Sequence, residues 1–152
     1  MRQVLLSVGK RHDPALTVAI DEFTSRLNRE VETLWHLIKP SGADEPTARR
    51  VESLAVLDFL KDDDFIVLLD ERGRELSSEA LSARYDDWLT RSGRIVFVIG
   101  GAYGVDEMLR SRADFTLALS KLVFPHQLVR LFLVEQLYRA RMISKNHPYH
   151  HS

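Results

Sequence analysis

The stretch Ile95-Val96-Phe97-Val98-Ile99-Gly100-Gly101-Ala102-Tyr103-Gly104 decides the fold. Five consecutive apolar residues, four of them β-branched, predict a strand buried on both faces. Three glycines within the next five residues predict a turn where backbone can approach a ligand closely. Working outward, the alternation repeats. Phe65–Leu69 and Phe115–Leu119 are predicted strands, the first followed by a polar turn, Asp70–Arg74, at Gly73. Helices are predicted over Ser78–Arg91, with Leu81, Tyr85, Trp88 and Leu89 inward, and over Val105–Arg112. Upstream lie a strand at Gln3–Val8, a helix from Asp13-Pro14 to about Asn28 with Asp13 as N-cap, a strand at Val31–Ile38 and a helix at Thr47–Leu60. Downstream, a long helix over His126–Ser144 leads into the tail Lys145–Ser152. The prediction is one α/β domain over residues 1–152, an open, mostly parallel sheet with helices on both faces. Ligands in such folds bind at the carboxyl ends of strands, here after Leu69, Ile99 and Leu119.

The 152 residues suit a single domain, and the apolar fraction of 45% is enough for a core. The apolar runs are too short to span a membrane or act as a signal peptide, and there is no cysteine. These features point to a cytoplasmic protein without disulfides or thiolate metal sites. The net charge of −1 hides an asymmetry. Residues 120–152 hold five Lys and Arg against one acidic residue, so a polyanion should meet the C-terminal end.

Four features bear on chemistry. The glycine run matches neither GxGxxG nor a P-loop; it is either a backbone cradle for a ligand or a plain tight turn. The connection Leu119-Ser120-Lys121-Leu122-Val123-Phe124-Pro125 is apolar enough to wrap an aromatic ligand such as adenine, or to plug a crossover under the core. The last helix carries Leu128, Val129, Leu131, Phe132, Leu133, Val134 and Leu137 in nearly every direction, which predicts burial on all sides with help from a second subunit. On it, Glu135 and Arg139 stand at i,i+4 and can pair, whereas His126 and Arg130 share a face as an anion or RNA site. The tail Asn146-His147-Pro148-Tyr149-His150-His151 can stack on bases or move a proton, or simply fray. His12 and His36 have no companions in sequence.

Taken together, six motifs resemble one family. They are Leu69-Asp70-Glu71-Arg72-Gly73; Leu76-Ser77-Ser78-Glu79; Ile99 through Gly104; Ser120-Lys121 with Phe124 through Arg130; Glu135 through Ala140; and Pro148-Tyr149-His150. The chain resembles the ribosomal RNA large-subunit methyltransferase H family, a minimal branch of the SPOUT methyltransferases. The resemblance implies a C-terminal trefoil knot and a homodimer. It implies methyl transfer from S-adenosylmethionine, without a metal, to N3 of a pseudouridine in large-subunit rRNA on the assembled 70S ribosome. Carried over by motif, the donor site falls on Leu69, Gly100, Leu119, Ser120, Lys121, Leu122, Val123 and Phe124. His126, Arg130, Arg139, Tyr149 and His150 are the candidates for catalysis, with His126 or His150 accepting the proton and Tyr149 stacking on the base. So few clustered cations imply poor activity on protein-free RNA. A non-catalytic ribosome-assembly factor that keeps the fold is the alternative. A small-molecule enzyme is a third reading, disfavoured by the absence of Lys or Ser/Thr after the glycine run.

Overall fold

A computed structural model describes residues 2–91 and 93–151. The order is β1 (Gln3–Val8), α1 (Thr17–Glu30), β2 (Thr33–Ile38), α2 (Glu45–Phe59), β3 (Phe65–Glu75), α3 (Ser78–Leu89), β4 (Ile95–Ile99), α4 (Glu107–Arg112), β5 (Phe115–Ala118) and α5 (His126–Ser144). The strands form one parallel sheet in the order β2-β1-β4-β3-β5. Alternating side chains feed two cores. Leu5, Val67, Phe97 and Leu117 pack against α1, α3 and α5, whereas Val4, Leu6, Ile66, Leu68 and Val98 pack with Val56 of α2 and Leu109 of α4. This is the α/β architecture with helices on both faces. No helix among the described residues is long and apolar enough to cross a membrane.

Two local expectations are corrected. Asp70–Arg74 is not a turn that ends β3. It is a bulge within the strand, after which Arg74 pairs again with Leu117. Glu71 and Arg72 are exposed, and β5 approaches so closely that a Cβ on Gly73 would meet the Thr116 carbonyl oxygen at 2.5 Å. Asp13 does not cap α1: its carboxylate accepts the Ala15 N–H at 2.8 Å, closing a turn before the helix begins at Thr17. Within one chain, one face of α5 stays open. Leu133, Val134 and Leu137 are buried, but Phe132 is 37% exposed and Leu131 half-buried. Both line an apolar groove of about 640 Å³ with Phe23 of α1, Leu76 and Phe124.

Between β5 and α5 the chain runs from the edge of the sheet back to β1. A Cβ on Gly9, just past β1, would lie 2.7 Å from Arg130 Nη2 and 3.3 Å from His126 Nε2, both on the first turns of α5. Three strand ends and the start of the last helix are thereby gathered on one side of the sheet.

Candidate active site

A cleft of about 620 Å³ opens there. Its walls come from Leu69 and the β3 bulge, from Ile99 through Val105, and from the segment between β5 and α5. The glycine loop closes on itself, the Gly104 N–H donating to the Gly101 carbonyl at 3.1 Å. Arg49 of α2 pins it by donating to the Tyr103 carbonyl at 3.1 Å. At Gly101 a Cβ would lie 2.8 Å from Glu52 Oε1 and 3.1 Å from Val8 Cγ1, so a side chain there would push the Glu52 carboxylate aside. Opposite, Ser120 Oγ accepts the Leu122 N–H at 3.0 Å, which shapes the turn that presents Leu122 and Val123. These two apolar side chains are 70% and 77% exposed and form a lip.

The bulge supplies the cleft's anion. Burial alone would raise the Asp70 carboxyl, but the Arg72 side chain and backbone and the Arg110 guanidinium hydrogen-bond to it and hold it down at about 2. It is therefore a fixed, paired charge at neutral pH. It has no proton to give.

Arg130 has zero exposure. Its Nε donates to Ser7 Oγ at 2.9 Å, and its Nη1 donates to the Lys10 carbonyl at 2.9 Å and meets His12 Nδ1 at 3.2 Å. Its buried Nη2 has no partner among the described residues. Burial and then the nearby Arg130 charge push the His126 imidazole below its ordinary value, against a smaller raising influence from Glu52. His12 is lowered for the same first two reasons. His126 lines the cleft and, among the described residues, forms no hydrogen bond through its ring. At neutral pH it is an unengaged neutral base beside a buried cation.

The tail folds elsewhere. Arg139 Nε donates to Glu135 at 2.8 Å, as the i,i+4 spacing suggested. Arg139 also meets His150 Nδ1 at 3.1 Å and lies over the Tyr149 ring, 4.9 Å from its centroid. His150 Nε2 sits 2.8 Å from Glu79, and Tyr149 packs edge-on against Tyr138. Both nitrogens of His150 are thus occupied. Thirteen residues of α5 separate Arg139 from His126, roughly 20 Å along a helix.

Of the sequence-predicted donor residues, Leu69, Gly100, Leu119, Ser120, Leu122, Val123 and Phe124 line one cleft with His126; Lys121 does not line it and points to solvent. Arg130 lies behind His126. Arg139, Tyr149 and His150 form a second cluster that this chain does not bring to the cleft. Ser7, His12 and Glu52 were not anticipated. Ser7 reads as an ordinary strand residue, and the partners of His12 and Glu52 are far off in sequence.

A parallel α/β sheet whose strand ends carry a glycine loop, an apolar wrapping segment and an imidazole without a hydrogen-bond partner defines an α/β protein with a small-ligand cleft. Comparison with known proteins narrows this. The family model described as "Predicted SPOUT methyltransferase" matches residues 1–150, and the chain belongs to that family; it is a methyltransferase. It is similar to the Ribosomal RNA large subunit methyltransferase H of Christiangramia forsetii, at 41% identity over 152 residues and 97% of each chain. It is also similar to proteins of the same name from Acetivibrio thermocellus (38% over 158 residues) and Cupriavidus taiwanensis (36% over 159 residues), each match covering 99% of both chains.

Proposed function

We propose that this chain methylates N3 of a pseudouridine in large-subunit ribosomal RNA, with S-adenosylmethionine as donor, on the assembled 70S ribosome in the cytoplasm. The observation that carries the reading is His126, a neutral base without a hydrogen-bond partner, in the cleft formed by the glycine loop and the Leu119–Phe124 segment. The cleft fits the donor. Its volume lies in the small-ligand range, its apolar wall from Leu119 to Phe124 suits a purine, and Gly100 and Gly101 present bare backbone. When bound there, the donor supplies a methyl group already activated on sulfonium sulfur.

The chain's own residues do the rest. N3–H of the base is a weak acid, and His126 is the group with a lone pair free to take its proton. His150 donates and accepts through both nitrogens and has none to spare. Arg130 stabilises the anionic base as it forms, through the one guanidinium nitrogen that the fold leaves unused. Tyr149 supplies a face on which a base can stack.

The same reading requires a homodimer. The tail cluster and the cleft are separated by about 20 Å of α5 within one chain. The apolar groove between α1 and α5, with Phe132 exposed, is the face a second copy would cover. In such a dimer, Arg139, Tyr149 and His150 of one protomer complete the cleft of the other. The return of residues 119–125 from β5 to β1 supports the trefoil knot that the resemblance implies.

The test is transfer of labelled methyl from S-adenosylmethionine to unmodified 70S ribosomes, isolated large subunits and naked rRNA. Label on large-subunit RNA with ribosomes, and little with naked RNA, is the expected result. A folded protein that binds the donor and labels none of the three would overturn it.

A further inference from the structure

A buried carboxylate stands behind the glycine loop that walls the cleft, outside the roles assigned above. Glu52, on α2, is 6% exposed. Its Oε2 accepts the Ser41 N–H at 3.0 Å, while its buried Oε1 has no donor among the described residues. No lysine or arginine among them forms an ion pair with it. The free oxygen would lie 2.8 Å from a Cβ at Gly101, and Val8 Cγ1 would lie 3.1 Å from the same point. The next residue, Gly9, faces His126 Nε2 and Arg130 Nη2. Glu52 and His126 therefore flank one corner of backbone, the carboxyl end of β1. The charged and titratable groups facing His126 are Arg130 on its own helix and Glu52 from α2, with His12 of the β1–α1 connection on the far side of the guanidinium. Burying a carboxylate without a counter-ion costs free energy, and an amide would hold Ser41 equally well. The charge calls for a function beyond that hydrogen bond.

We propose that Glu52 is a positioning residue for methyl transfer: its free carboxylate oxygen balances the positive charge that His126 acquires on taking the N3 proton. The proposal rests on the reading of His126 as the base. The step balances. The N3–H bond breaks and its proton goes to the imidazole; the N3–methyl bond forms as the sulfur–methyl bond breaks, and sulfur leaves as a neutral thioether. The positive charge that entered on sulfur ends on His126. Arg130 opposes its arrival there. Glu52, at the same β1 corner behind Val8 and Gly101, offsets that opposition.

Glu52→Gln keeps the size of the side chain and an acceptor for Ser41 but removes the charge. Glu52→Asp keeps the charge. Two readouts apply to the full chain: the pH midpoint of the His126 ring resonances by NMR, which needs no ribosome, and the pH profile of single-turnover methyl transfer to ribosomes. In Glu52→Gln we expect the midpoint and the acidic limb of the rate to move together to lower pH by roughly half a unit or more. The rate plateau should fall about 2- to 3-fold for each half unit the midpoint moves. Glu52→Asp should recover most of both. An unmoved NMR midpoint overturns the proposal whatever the activity does, and a moved midpoint with an unmoved rate profile overturns its catalytic part. Should Glu52→Gln fail to fold, Glu52→Asp still decides the matter: a fall in its plateau with a wild-type midpoint assigns Glu52 to structure alone. If His126→Ala retains full activity, the reading of the base fails instead, and the NMR titration keeps the two failures apart.

Discussion

Arg130 Nε donates to Ser7 Oγ at 2.9 Å, joining the first strand to the last helix across 123 positions of sequence. Both residues have zero exposure. The bond fixes where α5 starts relative to β1, and so where His126 stands in the cleft. Replacing Ser7 by Ala leaves a buried guanidinium nitrogen without its acceptor. The expected cost is roughly 1.5–3 kcal/mol of unfolding free energy, read from urea titration with an unchanged slope. A cost within a few tenths of a kcal/mol would mean that the tether contributes little.

The sign of the pH dependence follows from the histidines. His12 and His126 both titrate below the ordinary value near 6.5 in the folded chain, first from burial and then from the Arg130 charge. Above 6.5 both states hold these rings neutral, and the fold is at full strength. As pH falls below it, the unfolded chain takes up protons first, so stability drops through the folded midpoints. His126→Gln should flatten this part of the stability curve relative to the unmodified chain, measured by thermal melts between pH 7.5 and about 5. Methyl transfer should lose rate over the same acidic range. Equal slopes in the variant and the unmodified chain would show that His126 is free to protonate in the fold.

The sheet was legible because its strands are continuous apolar runs, and β4 and the glycines after it read correctly from ten residues. β3 was cut short because Asp70, Glu71 and Arg72 look like a turn; only the Thr116 backbone lying against Gly73 reveals a bulge. The i,i+4 pair Glu135–Arg139 was readable because a helix sets its own neighbours. The setting of Arg130 was not, since Ser7, Lys10 and His12 reach it through tertiary packing alone. Glu52 has no sequence signal whatever: it looks like one more charge on a helix until its burial is known.

Mixing two inactive variants tests the shared site. His126→Ala disables a cleft, and His150→Ala disables a tail. If a tail serves its partner's cleft, each mixed dimer holds one cleft with both parts intact. Random exchange makes half the dimers mixed, so activity should return to about a quarter of that of the unmodified protein. If tails serve their own chain, the mixture stays inactive. Ala19→Glu, which puts a charge into the apolar groove, should give monomers by sedimentation while leaving the far-ultraviolet spectrum intact.

A close backbone approach between β3 and β5 yields a sharp stability prediction. A Cβ on Gly73 would meet the Thr116 carbonyl oxygen at 2.5 Å and carbon at 2.7 Å, with the Thr116 methyl at 2.8 Å. Two of the three are backbone atoms and cannot rotate away. Gly73→Ala must therefore separate β3 from β5 or shift the bulge that carries Asp70. The expected loss is roughly 1–3 kcal/mol, the ordinary cost of overpacking. A second effect follows from the register. Leu117 pairs with both Leu69 and Arg74, so displacing Gly73 moves the Leu69 wall of the cleft. Donor affinity, measured by calorimetry on the folded variant, should fall along with stability. Gly42→Ala is the contrast: its Cβ would meet nothing within 4 Å, though its φ of 75° disfavours a side chain. It should cost stability through backbone strain, on the order of 1 kcal/mol, and leave donor binding untouched. A Gly73→Ala variant that binds the donor normally would show that the β3 bulge and the cleft wall move independently.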